Sequence, residues 1–151
     1  MVARDMIKKK GSEVFSITKN DRICEGLSLM NKKNIGALIV MDNDEIQGIV
    51  SERDILRFYQ STSCSDIVLK INSSVKISEI MTTSNNLITG QADCDINTLM
   101  DKMADNHIRH IPILEKDKLI GMVSMRDVVK AILFVEKRKK RILEEYITSS
   151  Y

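Results

Sequence analysis

A chain of 151 residues, 43% apolar and 29% charged, has the balance of a folded protein and fits one compact domain or two small repeats sharing a core. A net charge of +2 supplies no overall field for nucleic acid or an anionic membrane. Aromatic content of 4%, without tryptophan, speaks against a surface that stacks several exposed bases.

In chain order, the opening M-V-A-R-D-M-I-K-K-K is charged but lacks the apolar stretch of a secretory signal. A short strand is expected near residues 15–17, then a helix over about 22–33, where apolar positions recur at helical spacing. Residues 35–41 are apolar and rich in β-branched types, hence a buried strand. Asp42-Asn43-Asp44 is a polar hairpin turn, residues 46–50 a second strand, and a helix begins at Ser51. The polar, serine-rich residues 61–74 join this unit to a second one. There a short strand near 87–89 precedes a helix over 95–106, marked by Ile96, Leu99, Met100 and Met103. Strands at 108–114 and 119–123 flank the turn Glu115-Lys116-Asp117, and a final helix runs from Ser124 to about Tyr146.

The two halves are copies. Shifting the chain by 73 residues lays Gly48-Ile49-Val50-Ser51-Glu52-Arg53-Asp54-Ile55 on Gly121-Met122-Val123-Ser124-Met125-Arg126-Asp127-Val128, with five of eight positions identical. The same offset aligns the preceding strands, turns and helices without a gap, which chance rarely produces. The expected fold class is α+β, two tandem β-α-β-β-α repeats packed with pseudo-twofold symmetry, divided as 1–74 with the linker and 75–151 with the C-terminal helix. Neither half buries enough apolar area to be comfortable alone.

Ser51 and Ser124 stand where an apolar strand passes into a helix, and Asp54 and Asp127 follow three residues later. Free N–H groups at a helix N-terminus suit a phosphate, and a carboxylate accepts hydrogen bonds from two vicinal ribose hydroxyls. Arg53 and Arg126 add forked donors at the same turns. S-x-x-D is also a capping box, a role compatible with ligand binding. Opposite the second junction the chain offers His107, Arg109 and His110, where the first repeat has Asn34, Gly36 and Ala37. If these side chains face the junction, the second site is the more positive and is expected to prefer polyphosphates, with the first weaker, taking a smaller group or empty.

A β-α-β-β-α unit ending in G-h-x-S-x-x-D (h apolar), present twice, resembles the CBS domain family, in its free-standing paired form. Ile35-Gly36-Ala37, Ile80-Met81-Thr82 and Ile108-Arg109-His110-Ile111-Pro112 are similar to phrases of that family. The resemblance implies a non-catalytic regulatory module that holds AMP, ADP or ATP, sometimes NAD, in the cleft between two repeats and modulates a partner protein. It implies a homodimer, and a target enzyme that the sequence does not name. It extends the nucleotide-binding set to Met81 and Thr82 for the first site, and to Pro112 and an extended segment at Lys10-Gly11 for the second.

Other chemistries find little support. The sequence contains no G-x-S-x-G, H-E-x-x-H or G-x-x-x-x-G-K-[ST]. His107, His110 and Asp105 lack zinc-site spacing, so no metal is expected. The basic run over 136–141 reads as a solvated helix face with Glu144 and Glu145 completing i,i+4 pairs; nucleic-acid binding and a purely structural dimerisation role are the alternatives. Cys24, Cys64 and Cys94, odd in number and without C-x-x-C spacing, read as reduced, mostly packed thiols of a cytoplasmic protein. No membrane association is expected. On the last helix, Ile132, Val135, Ile142 and Tyr146 form an apolar stripe expected to be covered in the homodimer.

Overall fold

The computed structural model describes residues 1–60 and 75–148. The chain opens with α1 (Ala3–Lys10), followed by β1 (Ser16–Ile17), α2 (Ile23–Lys33), β2 (Ala37–Asp42), β3 (Glu45–Ser51) and α3 (Glu52–Gln60). A 3₁₀ turn at Ile77–Glu79 leads into β4 (Thr82–Thr83) and a second 3₁₀ turn at Ser84–Asn86. The second repeat contributes β5 (Gly90–Gln91), α4 (Ile96–Asp105), β6 (His110–Glu115), β7 (Lys118–Ser124) and α5 (Met125–Thr148). The β-α-β-β-α order is thus present twice in an α+β fold. The joining segment 61–74, with Cys64, lies outside the described residues.

Each repeat is built on a hairpin. Ala37 lies opposite Ser51 and Asp42 opposite Glu45; His110 lies opposite Ser124 and Glu115 opposite Lys118. The turns Asn43-Asp44 and Lys116-Asp117 hold both residues at positive φ, between 47° and 66°, the type I′ geometry that matches strand twist. The sheets are ordered β1-β2-β3-β4 and β5-β6-β7.

The first strand of the second repeat forms at Gly90–Gln91, later than the expected 87–89. In the first repeat Ile39 N–H donates to the Phe15 carbonyl at 3.2 Å, and Ser16 pairs with Ile39. Pro112 occupies the position equivalent to Ile39 and has no N–H to donate. Pairing therefore starts one step further on, with Gly90 opposite Ile113.

Two compact units result: a central unit, Val14–Leu87, and a terminal unit, Met1–Glu13 with Ile88–Tyr151. They partition the chain differently from the sequence repeats, because the first thirteen residues pack with the second repeat. The central core gathers Ile17, Ile23, Met30, Leu38, Val40, Val50, Ile55 and Ile77. The terminal core is built on Leu99, Met103, Ile111, Ile113, Val123 and Val128, to which α1 adds Ala3, Met6 and Ile7.

Helix α1 replaces the extended segment expected at Lys10-Gly11. Eight residues are marginal as an isolated helix. Burial of Met6 and Ile7, each worth roughly 1.5–3 kcal/mol, holds it. Its first amides are satisfied outside the helix: Ala3 N–H donates to Cys94 at 2.8 Å and Arg4 N–H to Ala92 at 2.9 Å. Asp5 in the first turn and Lys8, Lys9 and Lys10 in the last suit the helix dipole, and Gly11, at φ 96°, ends it.

The glycines of the repeated phrase make room for neighbours. A Cβ on Gly48 would lie 2.1 Å from the carbonyl oxygen of Thr82, so β4 can pair with β3 only because position 48 is glycine. Gly121 does the same for α1, whose Ile7 side chain would stand 2.8 Å from an added Cβ.

Two expectations about surfaces change. Cys24 is exposed and not packed, since it follows buried Ile23 onto the solvent side of α2, while Cys94 is half-buried. On α5, Ile132 turns onto its own core and Val135 is half-buried, leaving only Ile142 and Tyr146 of the expected stripe exposed. Among the described residues no helix is long and apolar enough to cross a membrane.

Candidate functional site

Each unit places Ser and Asp at a strand-to-helix junction, and both junctions close as reciprocal caps. Ser51 donates to Asp54 Oδ2 from its N–H at 2.8 Å and from its hydroxyl at 2.7 Å, while Asp54 N–H donates back to Ser51 Oγ at 3.4 Å. Ser124 and Asp127 repeat the pattern at 2.8, 2.8 and 3.3 Å. The capping role is therefore real at both. Every one of these carboxylate contacts falls on Oδ2; among the described residues Oδ1 of neither aspartate accepts a hydrogen bond.

Around the caps the units diverge. In the terminal unit Lys10 Nζ donates to Asp127 Oδ2 at 2.7 Å, bringing the end of α1 onto the start of α5. Asp127 keeps only 19% of its side-chain surface exposed. Burial pushes its carboxyl up, but the Lys10 ammonium and the Ser124 N–H and hydroxyl outweigh that and hold it below the usual carboxylate range. His110 faces Ser124 across the hairpin and is partly buried. Burial first, then the Arg109 and Lys10 charges, push its imidazole down to about 4. The ring is neutral at pH 7, which corrects the expectation that it adds positive charge: the cations of this site are Lys10 and Arg109.

Arg109 reaches the same junction through its backbone, where its carbonyl accepts from Met125 N–H at 2.8 Å; its side chain is exposed. The matching contact in the central unit, Glu52 N–H to the Gly36 carbonyl at 3.0 Å, has no side chain to contribute. Ser51 and Asp54 are instead accompanied by β4, whose Thr82 pairs with Ile49, and by Met81, half-buried against the central core.

The other expected residues differ in exposure and setting. Pro112 is fully buried in β6 and offers no surface to a ligand. His107 occupies the left-handed turn after α4 at φ 53°, the place Asn34 holds after α2, also at φ 53°. Its position is set by chain reversal: Ile108 N–H closes the turn on Met103 at 3.0 Å, as Ile35 does on Met30. Arg126 is exposed on the first turn of α5, and Arg53 is half-buried. The basic run of α5 is largely paired along its own helix, Lys139 with Glu136 at 3.0 Å, Lys140 with Glu144 at 3.8 Å and Arg141 with Glu145 at 2.9 Å.

The association of Lys10 with Asp127 depends on α1, an element the sequence reading did not assign. Its signals are Ala3, Met6 and Ile7 at helical spacing, an early Asp5, late lysines and a closing glycine.

Comparison with known proteins agrees with this architecture. The CBS domain model matches residues 3–61 and 77–134. The chain is 35% identical to the mitochondrial CBS domain-containing protein CBSX3 of Arabidopsis thaliana, over 97% of this chain and 72% of that protein. A solved signal-transduction protein with CBS domains from Burkholderia ambifaria shares 33% identity at a TM-score of 0.76, covering 87% of this chain and 93% of that one. The CBS domain pair of protein MJ0100, solved with 5′-methylthioadenosine and S-adenosyl-L-methionine, superposes at a TM-score of 0.69 with 23% identity, over 91% of this chain and 98% of that one. With the family model spanning both repeats, the chain belongs to the CBS domain family and carries two copies of that domain in tandem.

Proposed function

We propose that this chain is a non-catalytic regulatory module that binds an adenine nucleotide, AMP, ADP or ATP with NAD as a further ligand, and transmits its presence to a partner protein. The observation that carries this reading is the convergence of Lys10, Arg109 and His110 on the Ser124–Asp127 junction. In it, Asp127 Oδ1 accepts from the ribose, while Lys10 and Arg109 take the phosphates, with His110 beside them. At the Ser51–Asp54 junction, with Met81 and Thr82, no lysine pairs with the aspartate among the described residues and Gly36 stands where the second repeat has Arg109; in this reading it serves a smaller or weaker ligand. The MJ0100 domain pair shows that this fold can hold adenosine-containing molecules. The pairing of the α5 basic run with its own glutamates favours a solvated face over nucleic-acid binding.

The module acts as a homodimer in this reading. Leu56 and Val129 occupy the same repeat position, and both are exposed, at 62% and 48%. Apolar side chains repeated at one place in both units suit a self-complementary interface.

Calorimetric titration with AMP, ATP and adenosine tests the ligand. Asp127→Ala is expected to weaken the tighter binding event about tenfold to a hundredfold, the worth of one charge-assisted hydrogen bond, and Asp54→Ala to leave it intact. Arg109→Ala is expected to weaken ATP more than adenosine. Ligand-free melting curves separate the capping cost of each aspartate change, about 1 kcal/mol, from the loss of binding. Unchanged affinity in both aspartate variants would return S-x-x-D to a cap alone.

A further inference from the structure

Helix α1 and the distal part of α5, beyond the last residue matched by the CBS domain model, come together in the terminal unit and line an open groove of about 540 Å³. Its apolar residues are Met1, Val135 and Ile142, the last two one heptad apart on the same side of α5. That side continues the core face of the helix beyond the point where the core ends, since Val128 and Ala131 upstream are buried. The rim carries Lys8, Lys9, Arg138 and Lys139 against a single carboxylate, Asp5. Lys139 is paired with Glu136 and Lys9 lies 4.0 Å above the Phe134 ring. Lys8 and Arg138 have no ion-pair partner among the described residues.

We infer that this groove is a docking site for an acidic amphipathic helix of a partner protein. Apolar side chains one heptad apart, flanked by cations, call for an occupant with apolar residues at helical spacing and carboxylates beside them. A second copy of the chain would bring four like charges onto the same four, so self-association through this face is disfavoured by charge. Its concave shape fits a rod better than a flat lipid surface. None of the lining residues belongs to the Ser124–Asp127 junction, so the inference stands apart from the nucleotide reading.

The test is fluorescence anisotropy of the full chain with a labelled two-heptad peptide, leucine at a and d and glutamate at e and g. A twin with lysine at e and g is the control. The glutamate peptide is expected to bind and to weaken as salt rises. Lys8→Glu with Arg138→Glu is expected to cost it about tenfold, the sum of two reversed surface pairs, and to improve binding of the lysine twin. Ile142→Asp, at a residue already 44% exposed, is expected to abolish binding with the melting temperature unchanged, which separates docking from folding. Equal affinity for the two peptides, or no effect of the charge reversal, would overturn the inference. So would displacement of the bound peptide by phosphatidylserine vesicles that outcompete it, which would make the face a membrane contact.

Discussion

Lowering the pH should destabilise this protein through one side chain. His110 titrates near 4 in the folded chain, against an ordinary value of about 6.5 in the unfolded one. Between these values the unfolded state binds a proton that the folded state refuses, so stability rises with pH across the window and falls as pH drops from 6.5 toward 4. At 1.36 kcal/mol per unit, the gap amounts to about 3 kcal/mol at its full extent, a large part of a typical stability of roughly 5–15 kcal/mol. The groups facing the ring are Arg109 and Lys10, which disfavour its charging, and Asp127, which favours it. Asp127 is itself depressed, so its contribution is lost only below the ordinary carboxylate range, outside this window. Urea unfolding at pH 7.5, 6.5, 5.5 and 5.0 measures the slope, with His110→Gln as the non-titrating control. The wild type should lose stability below pH 6.5 and the variant should lose much less. Parallel curves would refute the assignment. A bound phosphate reverses the ring's preference, so ATP affinity should rise as pH falls from 6.5 to 5 in the wild type and stay flatter in His110→Gln.

Two further outcomes follow from packing. Gly48→Ala sets a Cβ 2.1 Å from a backbone oxygen of β4, while Gly121→Ala meets the movable end of Ile7 at 2.8 Å; the first should cost about 2–4 kcal/mol and the second about half that by urea unfolding, and equal costs would contradict the β3–β4 contact. Leu56→Asp with Val129→Asp should convert a dimer to a monomer in sedimentation at micromolar concentration, and a monomeric wild type would remove the proposed interface.

The repeat, its two hairpins and helices α2 to α5 were legible in the sequence because each is encoded by local periodicity and echoed at one offset. Gly48 and Gly121, Ser51 and Ser124, and Asp54 and Asp127 declared the junctions for the same reason: caps and turns are made by residues close in the chain. Pro112 carried the later start of β5 as well, in a missing N–H whose partner lies on another strand. Only the tertiary structure decided the rest. Helix α1 is short and largely polar, and it exists because Met6 and Ile7 find the terminal core and its amides find the carbonyls of Ala92 and Cys94. That docking, across more than a hundred residues of chain, sets Lys10 on Asp127. The neutral state of His110 depends on burial and on two cations, one of them delivered by α1. His107, three residues before His110 and equally basic in type, stands in a left-handed turn that reverses the chain, a backbone geometry its residue type does not announce. Periodicity records which residues share a face; which elements meet, and which charges then face one another, is settled by long-range packing.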